Sequence, residues 1–405
     1  MSIKEILTAI IARIDVKHKW QRNFILELFE LIYSIQGRVT FVNLARYSKL
    51  NESTFRRNYK KFFDWLSFNW ELMQFGGLDF SNPIIGAIDC SYLPKAGKST
   101  YGLDRFFNSV VGRARKGLEI SLLSLIDTYS GTAWALDVRQ TPAGLSAKEG
   151  DTNSYTRVDF YMQQLKQLQA YLFGIQYLVA DGYYAKVKVF ETMYSIGKAL
   201  ITKLRPDANL RYLYDGPPTK GRGRKKQFDG KVNWKNLSQE IDRWEYVGLD
   251  EKYPHLEIST CILNSPQFKR NFRVVILHNL RTKRYVVLAC TDINLDARSI
   301  VKFYQSRFKI EFLFRDAKQF CGLTHCQARN QEALHFHFNM SLAAVNLLQV
   351  QMKLDSTITS MNSFVRKAYN TRLVNWLFSQ LSSKAEFDLN HPEVKSVLSF
   401  GCLYN

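Results

Sequence analysis

Apolar positions in the first 80 residues recur at helical spacing, clearest in Phe24, Leu26, Leu28, Phe29 and Ile32, with few strand signals. Gly37 and Arg38 interrupt the pattern. Thr40 can then cap a short helix through Ser48, and Ser53 a second one over residues 54–66, separated by a turn at 49–52. This is helix-turn-helix spacing. On the second helix Phe55, Tyr59, Phe62 and Leu66 share a stripe, while Arg56, Arg57, Lys60 and Lys61 fall largely on other faces. That second set can meet phosphates; the alternative is a solvated basic face on an ordinary helix.

From residue 84 the pattern becomes strands followed by helices. Buried strands are predicted over 84–92, 118–128 and 132–141, with Ser130-Gly131 as the hairpin turn between the last two. A helix over 158–172, a strand over 175–180, a helix over 186–196 and a strand over 199–204 follow. Three strands and then strand–helix alternation predict an α/β fold, a mixed sheet flanked by helices. Strand-like runs at 255–263, 272–280 and 284–291 make residues 206–290 a β-rich insertion. A long helix over 296–320 and another over 331–353 precede a helical tail. The expected domains are 1–80 (helical), 81–205 and 291–350 (two parts of one α/β core), 206–290 (insertion) and 351–405 (helical).

The chain has 405 residues, with 56 Lys and Arg against 36 Asp and Glu, a formal charge of +20. An excess of this size points to a polyanionic partner. With 46% hydrophobic and 14% aromatic residues the charge sits on a folded body rather than a disordered chain. Cys90, Cys261, Cys290, Cys321, Cys326 and Cys402 show no spacing that would build a zinc site and read as reduced thiols. The apolar run at residues 7–12 is too short for a signal peptide or a membrane span, so the expectation is a cytoplasmic protein without a membrane partner.

Two carboxylates end apolar runs. Asp89 follows Ile84-Ile85-Gly86-Ala87-Ile88, and Asp181 follows Tyr177-Leu178-Val179-Ala180. A carboxylate at the end of a buried strand needs a cation, and Mg²⁺ takes a few such oxygens while leaving positions for water and phosphate. The alternative is an Asp that caps its own turn, which suits one such residue better than two on neighbouring strands. In the segment YQSRFKIEFLFRDAK, Tyr304, Arg307, Glu311 and Lys318 stand at offsets 0, 3, 7 and 14. At about 100° per residue they form one polar stripe roughly 60° wide, beside a separate apolar arc of about 120° that includes Phe303, Ile310 and Phe314. Arg307 and Glu311 can equally be an ordinary i,i+4 ion pair on a surface helix.

The order Asp89, Asp181, Glu311, with Tyr-x2-Arg-x3-Glu-x6-Lys around the glutamate, resembles the DDE transposases of bacterial insertion sequences in the group with a Tyr-Arg-Glu-Lys signature. The resemblance covers about residues 84–350. It implies a ribonuclease H-like catalytic core with a β-rich insertion, a helical DNA-end-binding region at the N-terminus, and a protein acting on DNA in a bacterial cytoplasm. Asp89 would bridge two Mg²⁺ ions, with Mn²⁺ as the substitute, and Asp181 and Glu311 would each hold one for in-line phosphoryl transfer. Tyr304, Arg307 and Lys318 would contact the backbone of the element end. The implied activity is binding of terminal inverted repeats, cleavage of the ends and transfer of 3′-hydroxyls to target DNA, in a homodimer on double-stranded DNA.

Family members that pass through a DNA hairpin hold a flipped base with a Trp in the insertion. This chain has no Trp between Trp244 and Glu311, leaving Trp234, Trp244 or Tyr285 for that role. The basic residues Arg222, Arg224, Lys225 and Lys226, and Arg113, Arg115 and Lys116, are further phosphate-contact candidates or solvated charge. His335 and His337, two apart on a helix, do not share a face and are no metal pair. The other functional readings are a metal-dependent nuclease without strand transfer and a DNA-binding protein without catalysis.

Overall fold

The computed structural model describes residues 1–145, 155–217, 225–355, 360–380, 388 and 390–398. Five helices open the chain: α1 (Ile3–Arg13), α2 (Lys19–Ser34), α3 (Phe41–Arg46), α4 (Glu52–Asn58) and α5 (Trp65–Phe75). Thr40 caps α3 as its position predicts, accepting from the Asn43 N–H. The second helix of the pair differs from expectation. Asn51, not Ser53, is its cap, and it ends at Asn58, so the chain turns through residues 59–64 before α5 begins. That turn shifts the apolar register: Phe63 is buried and Phe62, expected inward, is 85% exposed.

A mixed sheet follows. Its first part comprises β1 (Ile84–Leu93), β2 (Asp104–Asn108), β3 (Arg113–Asp127) and β4 (Thr132–Gln140). After α6 (Arg157–Gln167) come β5 (Tyr177–Ala180), α7 (Val187–Ser195) and β6 (Ala199–Leu204). Neighbours run β4-β3-β1-β5-β6, with β3 antiparallel to β1 and β4, and β1, β5 and β6 mutually parallel. Gly131 supplies the left-handed conformation (φ +68°) that the β3–β4 turn needs. At Gly117 a Cβ would lie 2.6 Å from the Leu93 carbonyl oxygen, so only glycine lets β3 pass that close to β1.

Residues 206–290 add β7 (Arg211–Leu213), β8 (Phe228–Lys231), β9 (Glu245–Leu249), β10 (Leu256–Ser265), β11 (Arg270–Asn279) and β12 (Tyr285–Cys290). β12 pairs with β6, so the stretch continues the same sheet, which reaches twelve strands. Three short strands here, β7 to β9, and β2 upstream lie outside the sequence expectation. The chain then forms α8 (Ala297–Ser306), α9 (Lys309–Phe320), α10 (Gln331–Leu354), α11 (Met361–Gln380) and α12 (Pro392–Leu398). The single helix expected over 296–320 is therefore two. Arg307 and Phe308 keep near-helical dihedrals, but Ile310 and Glu311 donate to carbonyls three residues back instead of four. This tightened turn sets α9 off from α8.

α10 is the centre of the helical side, buried almost continuously from Ala333 to Gln351. Asn346 donates to the Ala135 carbonyl of β4 and to Asn69 Oδ1 of α5, and accepts from the Ala135 N–H, tying sheet and N-terminal helices to one axis. Tyr33 of α2 donates to the Ala344 carbonyl, and the Tyr59 and Phe336 rings pack 4.5 Å apart. The N-terminal helices thus share a core with α10. No helix among the described residues is long and apolar enough to cross a membrane.

Candidate active site

β1 is apolar and buried from Ile84 to Ile88 because it lies between β3 and β5 with helices over its faces. Its parallel register with β5 pairs Gly86 with Leu178 and Ala87 with Val179. Continued by two residues, that register sets Asp89 opposite Asp181. Adjacent strands lie about 4.8 Å apart, and side chains at matched positions leave the same face, so the two carboxylates emerge together where the apolar runs end. Asp181 accepts from the Tyr183 N–H at 2.9 Å, capping the 3-10 turn Gly182–Tyr184, and its carbonyl accepts from Thr202 Oγ1. Asp89 accepts from the Cys90 N–H at 2.8 Å.

The third carboxylate arrives on α9. Glu311 sits in its first turn, and Arg307, in the tightened turn just before, reaches both acids: Nη1 is 3.5 Å from Asp89 Oδ2 and Nη2 is 3.5 Å from Glu311 Oε1. The α8–α9 break lets one guanidinium bridge two carboxylates. Both distances exceed the 2.7–2.9 Å or so of a tight charge-assisted hydrogen bond. Arg307 Nε is buried and has no hydrogen-bond partner among the described residues. The Tyr304 ring centroid is 5.6 Å from Arg307 Cζ. Lys318 Nζ donates to Ser91 Oγ at 2.8 Å, two residues along β1 from Asp89 and therefore on the same face of the strand.

Burial pushes the Asp89 carboxyl up to about 7; Arg307 and the Cys90 N–H oppose the shift, and Asp181 and Glu311 add to it. Burial also lowers the Lys318 ammonium and raises the Tyr304 phenol, the latter against the opposing pull of Arg307. Arg307 thus links two of the sequence-predicted acids, strand register brings Asp181 beside Asp89, and Tyr304 and Lys318 reach this end of β1 through Arg307 and Ser91. Among the described residues no three His, Cys, Asp or Glu side chains close into a metal-ligating cluster, and Arg307 stands between Asp89 and Glu311. The donor set fits a hard divalent ion: carboxylate oxygens only, one of them destabilised by burial and like charge. Ser91 was not singled out from sequence, although its i+2 position from Asp89 carries that signal.

The remaining candidates lie elsewhere. Arg56 pairs with Glu52 and stacks over Phe41, while Arg57, Lys60 and Lys61 are exposed. Lys226 pairs with Asp229, Lys225 is exposed, and Arg222 and Arg224 fall outside the described residues. Arg113, Arg115 and Lys116 are exposed on the stretch of β3 that pairs with β2. Trp234 stacks on Tyr285 with its Nε1 donating to the Ala208 carbonyl, and buried Trp244 donates to Tyr212 Oη, so these rings are engaged in internal packing. His337 is buried with Nε2 2.9 Å from the Gly322 carbonyl oxygen, and His335 lies against Asn339. Cys90 turns from the carboxylates toward Tyr184 Oη, as strand alternation predicts.

Among solved structures, the chain is similar to the piggyBac transposase synaptic complex with hairpin DNA, at 10% identity and a TM-score of 0.46 over 98% of this chain and 81% of that one. It is also similar to Ciona intestinalis Endonuclease V bound to an inosine-containing DNA, at 12% identity and TM-score 0.28 over 60% and 87% of the two chains. The catalytic domain of human Endonuclease V matches at 12% identity and TM-score 0.28 over 67% and 89%. None of the three bears on the residues of the site. No curated protein sequence gives a match. The family described as DDE superfamily endonuclease matches residues 15–251, which take in Asp89 and Asp181 and stop before Glu311. With more than half of its length matched, the chain belongs to the DDE superfamily endonucleases.

Proposed function

We propose that this endonuclease is a DNA transposase of the Tyr-Arg-Glu-Lys group, with Asp89, Asp181 and Glu311 as its catalytic carboxylates. The observation that carries the reading is the register of β1 and β5, which sets Asp89 beside Asp181, together with the Arg307 bridge from Asp89 to Glu311. The strand order β4-β3-β1-β5-β6, antiparallel then parallel, supports a ribonuclease H-like core.

In this reading Asp89, Asp181 and Glu311 would hold divalent ions, Mg²⁺ first and Mn²⁺ as substitute, which would supply charge neutralisation for phosphodiester cleavage. The chain's own residues position the substrate. Arg307 offers a buried Nε–H without a partner among the described residues to a phosphate oxygen, and Lys318, held by Ser91, places a second cation along the same strand. Tyr304 lies against the Arg307 guanidinium and steadies it. Such contacts fix DNA register rather than read its sequence. Terminal inverted repeats would be the bound DNA and a homodimer the working form, since transposition joins two ends.

The test is incubation of the full chain with a plasmid carrying its flanking repeats, with Mg²⁺ or with chelator. Excised element and joined products should appear with Mg²⁺ alone and be lost in Glu311→Gln. Nicked or linear DNA without joined products would leave the chain a nuclease.

A further inference from the structure

A cavity of about 820 Å³ opens between α4 and the connection from α9 to α10, with the end of β1 at its side. Arg56 and Lys60 enter it from the helical side, Lys95 from the loop after β1, and Arg329 from the loop before α10. No Asp or Glu lines it among the described residues. Lys60, Lys95 and Arg329 have no carboxylate partner among the described residues, while Arg56 is paired with Glu52 and lies over Phe41. Lys95 Nζ is held by the Cys326 carbonyl, and its ammonium is pushed below its ordinary value by burial, with Arg329 acting in the same direction. Concentrating cations in one concave space without a counter-anion costs energy unless a polyanion enters it.

The position relative to the acids gives the cavity a second meaning. From Asp89 the chain runs out along β1 past Ser91, where Lys318 is bonded, to Leu93, and Lys95 follows two residues later. At about 3.4 Å per residue these six steps span at most about 20 Å. A duplex advances about 3.4 Å per base pair, so the same distance is about six base pairs. Arg307, Lys318, Lys95, Arg329 and Lys60 thus form a row of cations leading from the carboxylates to the helix-turn-helix pair.

We propose that this cavity seats the phosphate backbone of duplex DNA about six base pairs from the bond at the acidic centre, with Lys60, Lys95 and Arg329 as the contacts. The proposal rests on the functional reading above and adds two residues, Lys95 and Arg329, that no sequence motif marks. It also gives a reason for the shared core of the N-terminal helices and α10: one packed unit holds both stretches of the same duplex.

Binding of the full chain to a labelled duplex is measured by fluorescence anisotropy over a salt series without divalent ions. The variants are Lys60→Gln/Arg329→Gln, both at exposed positions, and a charge-matched control, Lys166→Gln/Lys235→Gln, outside the cavity. Each lost phosphate contact lowers the slope of log K against log salt by about 0.9, so the double variant should lose about 2 from the slope and bind about tenfold more weakly. The control should keep the wild-type slope. Lys95→Met, compared with the charge-preserving Lys95→Arg at equal thermal stability, should lose about 1. Wild-type binding with an unchanged slope in the cavity variants overturns the groove and leaves the functional reading standing. Displacement of the duplex from the wild type by millimolar inorganic phosphate would mark a single-anion pocket and overturn it as well. Failure of the wild type to bind duplex DNA at any salt would overturn both.

Discussion

Replacing Asp89 by Asn should stabilise the metal-free protein while abolishing cleavage. The Asp89 carboxyl is pushed up to about 7 in the fold, against an ordinary value of 3.8. Between those two values the folded state binds more protons than the unfolded one, so this group's contribution to stability falls as pH rises from about 4 to 7 and stays at its minimum above that. At about 1.4 kcal/mol per unit, the full shift corresponds to an upper bound of about 4 kcal/mol. The side chain is 21% exposed and Asn leaves Arg307 with one ionic partner fewer, so about 2 kcal/mol is the expected gain above pH 8. For a chain of 405 residues with about 2 cal/mol/K of unfolding entropy per residue, that is a rise in Tm of about 2 °C. The assay is thermal unfolding of wild type and Asp89→Asn with chelator at pH 5 and pH 8.5, beside Mg²⁺-dependent cleavage. The difference in Tm should be small at pH 5 and positive at pH 8.5. An equal or lower Tm for the variant at pH 8.5, or the same difference at both values, would refute the argument that Asp89 is a charge held against burial and like neighbours.

Arg307→Gln removes the cation between Asp89 and Glu311, so the metal-free protein should lose about 2 kcal/mol at pH 8.5 and less at pH 5, where Asp89 is protonated; an equal loss at both values in thermal unfolding contradicts the bridge. His337 is fully buried and pushed down to about 4 from 6.5, so the unfolded state alone takes up its proton between those values and stability falls by about 3 kcal/mol as pH drops from 6.5 to 4. Denaturant titrations across that range should show one proton less of pH dependence in His337→Gln, and equal dependence would remove His337 from the account.

The carboxylate-bearing strands were legible because each is a continuous apolar run stopped by an acid, a pattern that buried parallel strands share. That Glu311 shares a polar stripe with Arg307 was legible from their spacing. The break at Arg307 was not, since the apolar positions Phe303 and Ile310 keep helical spacing through it and no Gly or Pro marks it. Only the hydrogen-bond ladder changes there, and that change allows Arg307 to bridge. The inward turn of Phe63 in place of Phe62 followed from a helix that ended early, a boundary that propensity places poorly. The pairing of β12 with β6, separated by some 85 residues, leaves no local trace, so a stretch that reads as an insertion continues the core sheet. Lys95 and Arg329 lie in loops with no periodicity to align them, and their convergence with Lys60 exists only in three dimensions.

The most direct test of the central claim is cleavage of repeat-flanked plasmid DNA by wild type, Asp89→Asn, Asp181→Asn and Glu311→Gln, with Mg²⁺ or chelator and with DNA binding measured in parallel. Wild type alone should cut and join DNA, and only with Mg²⁺, with end binding retained in all three variants. Cutting retained in any one variant that binds DNA would take that carboxylate out of the site.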